Sequence, residues 1–350
     1  MTQRFANRVR DRRRLLGWSQ DQLATKAGVS RAAVSAIEIQ RIVPSVAAAL
    51  SLADALSCTV EDLFGSADKV LPKEEWAWPP LADSCRFWQA LIGNRVLRYP
   101  TEATVAGILP HDGVFRNGNA ELVREFHPDR TLVIASCDPA AGLIAAEYER
   151  MTGMRLLPVH RTSRESLELL GKGLIHVAGL HLAAESDDEG NAKIAKSILG
   201  DGYSVMRIAS WDEGLAARPG LPIASMKAIL QSQVRWIGRE SGGGARDCQD
   251  ELLGNRPAPR RIAKDHQGVA EAIRCGWADV GVCLRLVSDQ ARLAFVPIRQ
   301  EAYDLCFPQS LEGDPRLNKL RDVLRSAALQ SQFSALPGYR LSRDLPIRHG

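Results

Sequence analysis

Near the N-terminus, apolar positions recur at helical spacing in short runs, each run closed by a glycine or opened by a serine. Arg4 to Leu16 has helix-forming composition, with Phe5, Val9 and Leu16 near one face, and Gly17 stops it. Ser19 caps a second helix, Gln20 to Ala27, whose Leu23, Ala24 and Ala27 share a face. Gly28 ends that helix and Ser30 caps a third, Arg31 to Ile39. The connection Ala27-Gly28-Val29-Ser30 predicts a helix-turn-helix, because the glycine permits the tight turn and Val29 plugs the angle between the helices. Pro44-Ser45 opens a fourth helix whose Val46, Leu50, Ala53 and Leu56 are expected to close the core.

The periodicity stops at residues 66–80 (SADKVLPKEEWAWPP), whose prolines and charges predict a linker after a head of residues 1–65. A connecting segment, 81–130, follows, with a β-hairpin from Arg86 to Ile92 and Arg95 to Tyr99 about the turn Gly93-Asn94. The body, 131–340, alternates strand and helix. Strands are expected at Thr131 to Ser136, Arg155 to Val159 and Ile175 to Leu180, with helices at Ala140 to Met151 and Ser163 to Leu170 between them. This βαβαβ spacing predicts a parallel sheet. Further strands are expected at Ser204 to Ala209, Arg235 to Gly238, Asp279 to Leu284 and Leu293 to Ile298. Helices are expected at Ala245 to Leu253, Val269 to Cys275 and Leu317 to Leu329.

Charge sharpens this two-part picture. The formal net charge is +4, but residues 1–41 hold nine Lys or Arg against Asp11, Asp21 and Glu38, which gives +6. The remainder, with 36 basic and 38 acidic residues, carries −2. A basic head on a nearly neutral body implies that a polyanion is handled at one end. With 45% hydrophobic and 25% charged residues the chain can bury real cores, which excludes disorder as its main state. No apolar stretch approaches the ~18 residues of a membrane helix, and the N-terminus is too charged for a signal peptide, so a cytoplasmic protein is expected. Seven cysteines without a CxxC pair are expected to be mostly small buried hydrophobes, with a redox or metal-sensing role left open for Cys137 beside Asp138 in the expected cleft, and His266, Cys275 and Cys283 are too loosely spaced to predict a metal site.

The string Arg13…Gly17-Trp18-Ser19-Gln20…Leu23-Ala24…Ala27-Gly28-Val29-Ser30…Val34-Ser35…Ile37-Glu38…Pro44-Ser45…Leu52-Ala53…Leu56…Leu63-Phe64 resembles the phage-repressor (Cro/C1, XRE-type) DNA-binding domain. Arg12 stands where an apolar residue is usual there, and Gln40 where glycine is usual. The resemblance implies a third helix in the major groove that offers Ser30, Arg31, Ala32, Ser35 and Ala36 to base edges. Arg31 suits guanine O6 and N7. It also implies that Arg10, Arg13, Gln20 and Arg41 grip phosphates of a double-stranded operator.

In the body the informative segment is Arg239-Glu240-Ser241-Gly242-Gly243-Gly244-Ala245-Arg246, a glycine-rich turn from strand into helix whose exposed amides favour an anion. Together with Gly179-Leu180-His181-Leu182, Pro219-Gly220, Ala278-Asp279…Gly281 and Glu301…Tyr303-Asp304, it is similar to the periplasmic-binding-protein-like domain of cytoplasmic regulators. That resemblance implies an α/β, two-lobed type 2 architecture joined to the all-α helix-turn-helix head, with a small effector between the lobes. The candidate ligand residues are Ser136, Thr162, Ser163, His181, Arg239, Gly242, Gly243, Gly244, Arg246 and Tyr303. Capping of a helix explains Thr162 and Ser163 equally well. Gly243 and Ala245 replace the hydroxyl residues usual in the family, so a molybdate-type oxyanion is one candidate effector among several.

There is no Ser-His-Asp signature, no HExxH and no P-loop lysine, so no catalytic residue and no metal ligand is expected. The leading reading is a one-component, homodimeric transcription regulator with a small, anionic effector and no cofactor. Two others stay open: an enzyme or carrier of molybdenum-cofactor metabolism with an autoregulatory DNA-binding head, and a DNA-binding scaffold whose body only dimerises.

Overall fold

The computed structural model describes residues 7–64, 73–102, 109–123, 127–222 and 226–349. The chain divides between Lys73 and Glu74 into two compact units.

The first unit is a bundle of five helices: α1 (Val9–Leu15), α2 (Gln20–Ala27), α3 (Arg31–Glu38), α4 (Val46–Ala55) and α5 (Val60–Phe64). Local chemistry sets their ends. Ser19 Oγ accepts the Gln22 amide and the Gln22 side chain returns to the Ser19 amide, a complete capping box, while Gly28 closes α2 at φ +65°. Ser30 and Ser45 cap α3 and α4 through Oγ alone, accepting the Ala33 and Ala48 amides. Val9, Leu23, Val34, Ile37, Leu52, Leu56 and Leu63 form the core, with Val29 packed against it. Two expectations are corrected. The first helix begins at Val9 rather than Arg4, and Leu16 is exposed, while Phe5 lies outside the described residues. On α4, Ala49, Leu52 and Ala53 face inward, so Val46 and Leu50 are left in solvent, 78% and 57% exposed. Gln40, at the usual glycine position, adopts φ +59°, so the left-handed turn after α3 is kept by a residue for which it is strained.

The second unit begins where a linker was expected. Residues 65–72 lie outside the described residues, but β1 (Lys73–Trp76) is a strand. It joins β2 (Ser84–Ile92), β3 (Arg95–Pro100), β4 (Gly113–Arg116) and β5 (Asn119–Leu122) in a five-stranded sheet of order β1-β3-β2-β4-β5. The signal read as irregular was aromatic packing: Trp76 meets Phe87 and Phe115 edge-on, and Trp78 meets Tyr99. The small sheet is tied to the rest by the buried Arg155 guanidinium, which donates to both Asp112 oxygens at 2.7 Å and to the Gln89 carbonyl.

The large sheet has the order β12-β9-β13-β8-β6-β7, with β14 (Tyr339–Leu341) and β15 (Ile347–His349) also paired to β9. Its first lobe holds β6 (Thr131–Ser136), β7 (Arg155–His160) and β8 (Val177–Leu180), paired in parallel as expected. It is covered by α6 (Ala141–Thr152), α7 (Ser163–Gly171) and α8 (Gly190–Leu199). The sheet as a whole is not parallel. β9 (Tyr203–Ala217) and β13 (Ala294–Pro308) are 15-residue strands, antiparallel to each other, that run out of the first lobe into a second. There they meet β12 (Val280–Leu284). The expected strands Ser204 to Ala209 and Leu293 to Ile298 are thus portions of two long connections. Their near-continuous apolar runs, broken at Asp212-Glu213 and Arg299 to Glu301, mark where core gives way to a junction. α9 (Met226–Gln231), the short parallel pair β10 (Gly238–Arg239) and β11 (Ile262–Ala263), α10 (Gly244–Leu253), α11 (His266–Arg274) and α12 (Arg285–Gln290) complete the second lobe. α13 (Pro315–Arg325) and α14 (Ala327–Ser334) replace the single C-terminal helix expected, because Ser326 ends the first and caps the second.

Candidate functional site

In the head, α3 leaves Arg31 and Ala32 exposed and Ser35 and Ala36 half-buried, and Arg10 and Arg41 are exposed. Ser30 is spent on its cap, its Oγ accepting the Ala33 amide at 3.1 Å. Arg31 lies 3.5 Å from Asp21, but both side chains are two-thirds exposed, so water screens the pair. Arg13 is the correction. It is buried against Glu38, donating from Nε at 2.6 Å and Nη2 at 3.0 Å, while Nη1 reaches the Trp18 carbonyl. Gln20 Nε2 donates to the same carboxylate at 2.9 Å. Burial alone works to raise the Glu38 pKa, and the bonds from Arg13 and Gln20 override it and hold it below its ordinary value. Arg13 and Gln20, expected on phosphates, therefore brace α1 and α2 against α3.

In the body, the glycine-rich turn sends its two flanking arginines to different places. Arg246 points outward: its Nε lies 2.7 and 2.8 Å from the two Asp250 oxygens and its Nη1 donates to the Arg239 carbonyl. It lines an open groove of about 460 Å³ with Thr162, Arg164, Glu165, Glu168, Ser241, Gly242, Asp247 and Asp250. Four carboxylates against two guanidinium groups make that groove a poor seat for an anion. The expected ligand role of Arg246 is therefore not supported. Thr162 is committed too, its Oγ1 donating to Glu165 Oε2 and accepting the Glu165 amide as the cap of α7. Ser163 is fully buried, and its Oγ accepts the His181 amide at 3.2 Å.

Arg239 points inward. It is 6% exposed, and its Nη1 has no hydrogen-bond partner among the described residues. The parallel pairing of Arg239 with Ala263 brings the start of α11 alongside, and there stands His266, 2% exposed. His266 Nδ1 accepts the Leu284 amide at 3.3 Å, which leaves the proton of the neutral ring on Nε2, and Nε2 also lacks a partner. Burial first, then Arg239, His181 and His160, push the His266 pKa well down, so the ring stays neutral. Two buried donors, one of them cationic, are thus left open at the ends of adjacent strands in the second lobe. An unsatisfied buried donor costs about 1–3 kcal/mol. Sequence reasoning found Arg239 by its glycine turn and missed His266, whose relation to Arg239 depends on strand pairing.

On the first-lobe side, Ser136, His181 and Tyr303 bind one another's neighbourhood rather than open space. Ser136 Oγ and Tyr303 Oη are 2.6 Å apart, and Tyr303 stacks on Trp211 with centroids 4.6 Å apart. Gly179 makes room, since a Cβ there would stand 2.7 Å from Tyr303 Oη. His181 is 1% exposed, with Nε2 2.8 Å from Cys137 Sγ and Nδ1 3.0 Å from Glu301 Oε2. Glu301 also accepts Trp211 Nε1 and the Arg299 fork. Burial works to raise Glu301, and His181 and Arg299 hold it down to about 2, while burial and Glu301 push neighbouring Glu213 well up. Gly244 packs its backbone onto the His181 carbonyl, so any side chain there would collide with it. Beside Cys137, burial raises Asp138 to about 6; its Oδ1 accepts Tyr339 Oη at 2.8 Å and its Oδ2 has no partner among the described residues.

Comparison with known proteins agrees with both units. A family model described as a helix-turn-helix matches residues 9–63, and one described as a PBP superfamily domain matches residues 145–325. An uncharacterized Bacillus subtilis (strain 168) protein, YvgK, is 27% identical over 229 residues, covering 62% of this chain and 74% of its own length. The uncharacterized HTH-type transcriptional regulator YgzD of the same organism is 41% identical over 58 residues, 17% of this chain and 88% of its own. Among solved structures, a phosphate ABC-transporter substrate-binding protein from Clostridium perfringens with bound phosphate shares the fold at TM-score 0.50 and 12% identity, over 61% of this chain and all of its own. Among the described residues no helix is long and apolar enough to cross a membrane.

Proposed function

Because the chain belongs to the PBP superfamily and carries a helix-turn-helix head, we propose that it is a one-component transcription regulator whose body senses a small oxygen-bearing anion. The observation that carries this reading is the pair of buried donors Arg239 Nη1 and His266 Nε2, neither of which has a partner among the described residues. A carboxylate or phosphate oxygen would accept from both, and the guanidinium would supply the charge. A molybdate-type oxyanion is the weaker candidate, because the Thr162 and Ser163 hydroxyls that would join its shell are committed to Glu165 and His181. The head is proposed to bind a two-fold operator as a homodimer, with Arg31 reading a base and Arg10 and Arg41 on phosphates. A ligand that binds apposed lobes more tightly than separated ones would shift the population of the two states, and so bias operator binding.

The test is a thermal-shift series with inorganic phosphate, sulfate, molybdate and small carboxylates on the full chain and on Arg239→Ala. Stabilisation of the wild type that disappears in Arg239→Ala supports the reading. Equal stabilisation of both proteins refutes it.

A further inference from the structure

The sequence predicts no catalytic constellation, yet the fold assembles one from residues 44 and 120 positions apart: Cys137, His181 and Glu301. Glu301 accepts His181 Nδ1–H, while Trp211 and Arg299 fix the carboxylate from its other sides. That assignment leaves the Nε2 lone pair aimed at Cys137 Sγ, 2.8 Å away. This is the nucleophile, base and orienting-acid order of an activated thiol. We propose that Cys137 is a peroxide-reactive nucleophile, with His181 as its base and Glu301 as a positioning residue, so that the body carries a modification site for small hydroperoxides in addition to its anion site.

Three observations support the assignment. First, the surroundings favour charge separation: burial works against protonated His181, but Cys137 and Glu301 on its two sides override it and hold its pKa well above the ordinary value. Second, the amides beside the thiol are already used. The Asp138 amide donates to Ser136 Oγ, Ala140 to Asp138 Oδ1 and Ala141 to the Asp138 carbonyl. These three amides are not free for an acyl-transfer oxyanion, whereas oxygen transfer needs only a proton for the leaving hydroxide. Third, Cys137 is 9% exposed and packed by His181 and Tyr303, each 1% exposed, which restricts it to small reagents.

The step balances. His181 Nε2 takes the thiol proton, Sγ attacks one peroxide oxygen, the S–O bond forms as the O–O bond breaks, and His181 returns the proton to the departing hydroxide. Cysteine is oxidised to sulfenic acid, and hydrogen peroxide is reduced to water. The added oxygen would lie between Cys137 and His181, whose carbonyl Gly244 of the second lobe abuts, so oxidation would press on the contact between the lobes.

The experiment treats the full chain with equimolar hydrogen peroxide at pH 6.5, traps sulfenic acid with dimedone, and quantifies all seven cysteines by peptide mass spectrometry. Cys275 is exposed and serves as the reference within the same molecule. Cys137 is expected to be trapped about tenfold faster than Cys275, because only Cys137 has a base within hydrogen-bond reach. Cys275 reacting first, with Cys137 silent until denaturation, would overturn the proposal. Glu301→Gln is expected to slow Cys137 about tenfold while Cys275 in the same molecule keeps its rate; an unchanged Cys137 rate would remove Glu301 from the assignment. If that variant does not fold, the wild-type ratio of Cys137 to Cys275 still decides the matter. Anion stabilisation in Cys137→Ser should persist, which separates failure here from failure of the anion reading.

Discussion

Arg13 and Glu38 in the head satisfy each other so fully that neither has a group left for DNA, whereas Arg239 and His266 in the body are buried as deeply and end in open donors. Both regions place an arginine beside a turn in a segment expected to meet an anion. What separates them is compensation. A buried guanidinium already facing a carboxylate is architecture, and one with an open donor among the described residues is where the proposed anion would bind. The same test divides Arg246, matched by Asp250, from Arg239 only seven residues earlier.

The largest expected effect lies on the compensated side. Arg13→Ala leaves Glu38 buried without its main partner, and breaking such pairs costs about 3–5 kcal/mol. Chemical denaturation followed by the Trp18 signal should show that loss in the head. If operator affinity fell while head stability held, Arg13 would be a phosphate contact after all. Arg239→Ala should do the reverse, leaving the body as stable or more so and removing about 1.5–3 kcal/mol of anion affinity, the range of a hydrogen bond to a charged group. Arg246→Ala should leave that affinity within a factor of about two, since its charge is spent on Asp250; titration calorimetry with the best anion of the thermal-shift series distinguishes the two.

Buried carboxyls sharpen the contrast through pH. Glu38 is held below its ordinary pKa, so the stability it gives the head is present above its unfolded value and is lost as pH falls. Asp138, with one unpartnered oxygen, is raised from 3.8 to about 6. Its native state binds the proton more tightly than the unfolded chain does, so the contribution of Asp138 to body stability is greatest below about pH 4 and declines as pH rises through 6. A shift of that size corresponds to about 3 kcal/mol. Asp138→Asn should flatten this limb, as read by urea unfolding between pH 4 and 7, and an unchanged slope would assign it to another group.

Legibility in the sequence followed the range of the interaction. Caps, turns and fully buried strands are local, so Ser19, Gly28, Ser30 and the run Thr131 to Ser136 announce their elements directly. The strand at Lys73–Trp76 was hidden because its support, Phe87 and Phe115, comes from other strands. The long β9 and β13 looked like separate short strands because polar residues at the lobe junction interrupt their apolar runs. The site divides in the same way. Arg239 stood out beside three glycines, but His266 reaches it only through the β10–β11 pairing, and Cys137, His181 and Glu301 meet only when β6, β8 and β13 lie side by side. Spacing along the chain carries no trace of such meetings.

The smallest effect on stability belongs to Arg31, and it tests whether exposure in the head means what an open donor means in the body. Its salt bridge to Asp21 is exposed and screened, so losing it should change head stability by less than about 0.5 kcal/mol. The guanidinium is therefore available to a base edge, and Arg31→Ala should cost about 1–3 kcal/mol of specific binding and relax discrimination at one base pair. Arg41→Ala should instead weaken all sequences alike and lower the salt dependence by about one phosphate contact. Binding-site selection followed by affinity measurements at two salt concentrations separates these outcomes. If Arg31→Ala behaved like Arg41→Ala, the first turn of α3 would be gripping the backbone, and base reading would have to pass to Ser35 and Ala36, which lie half-buried one turn further along.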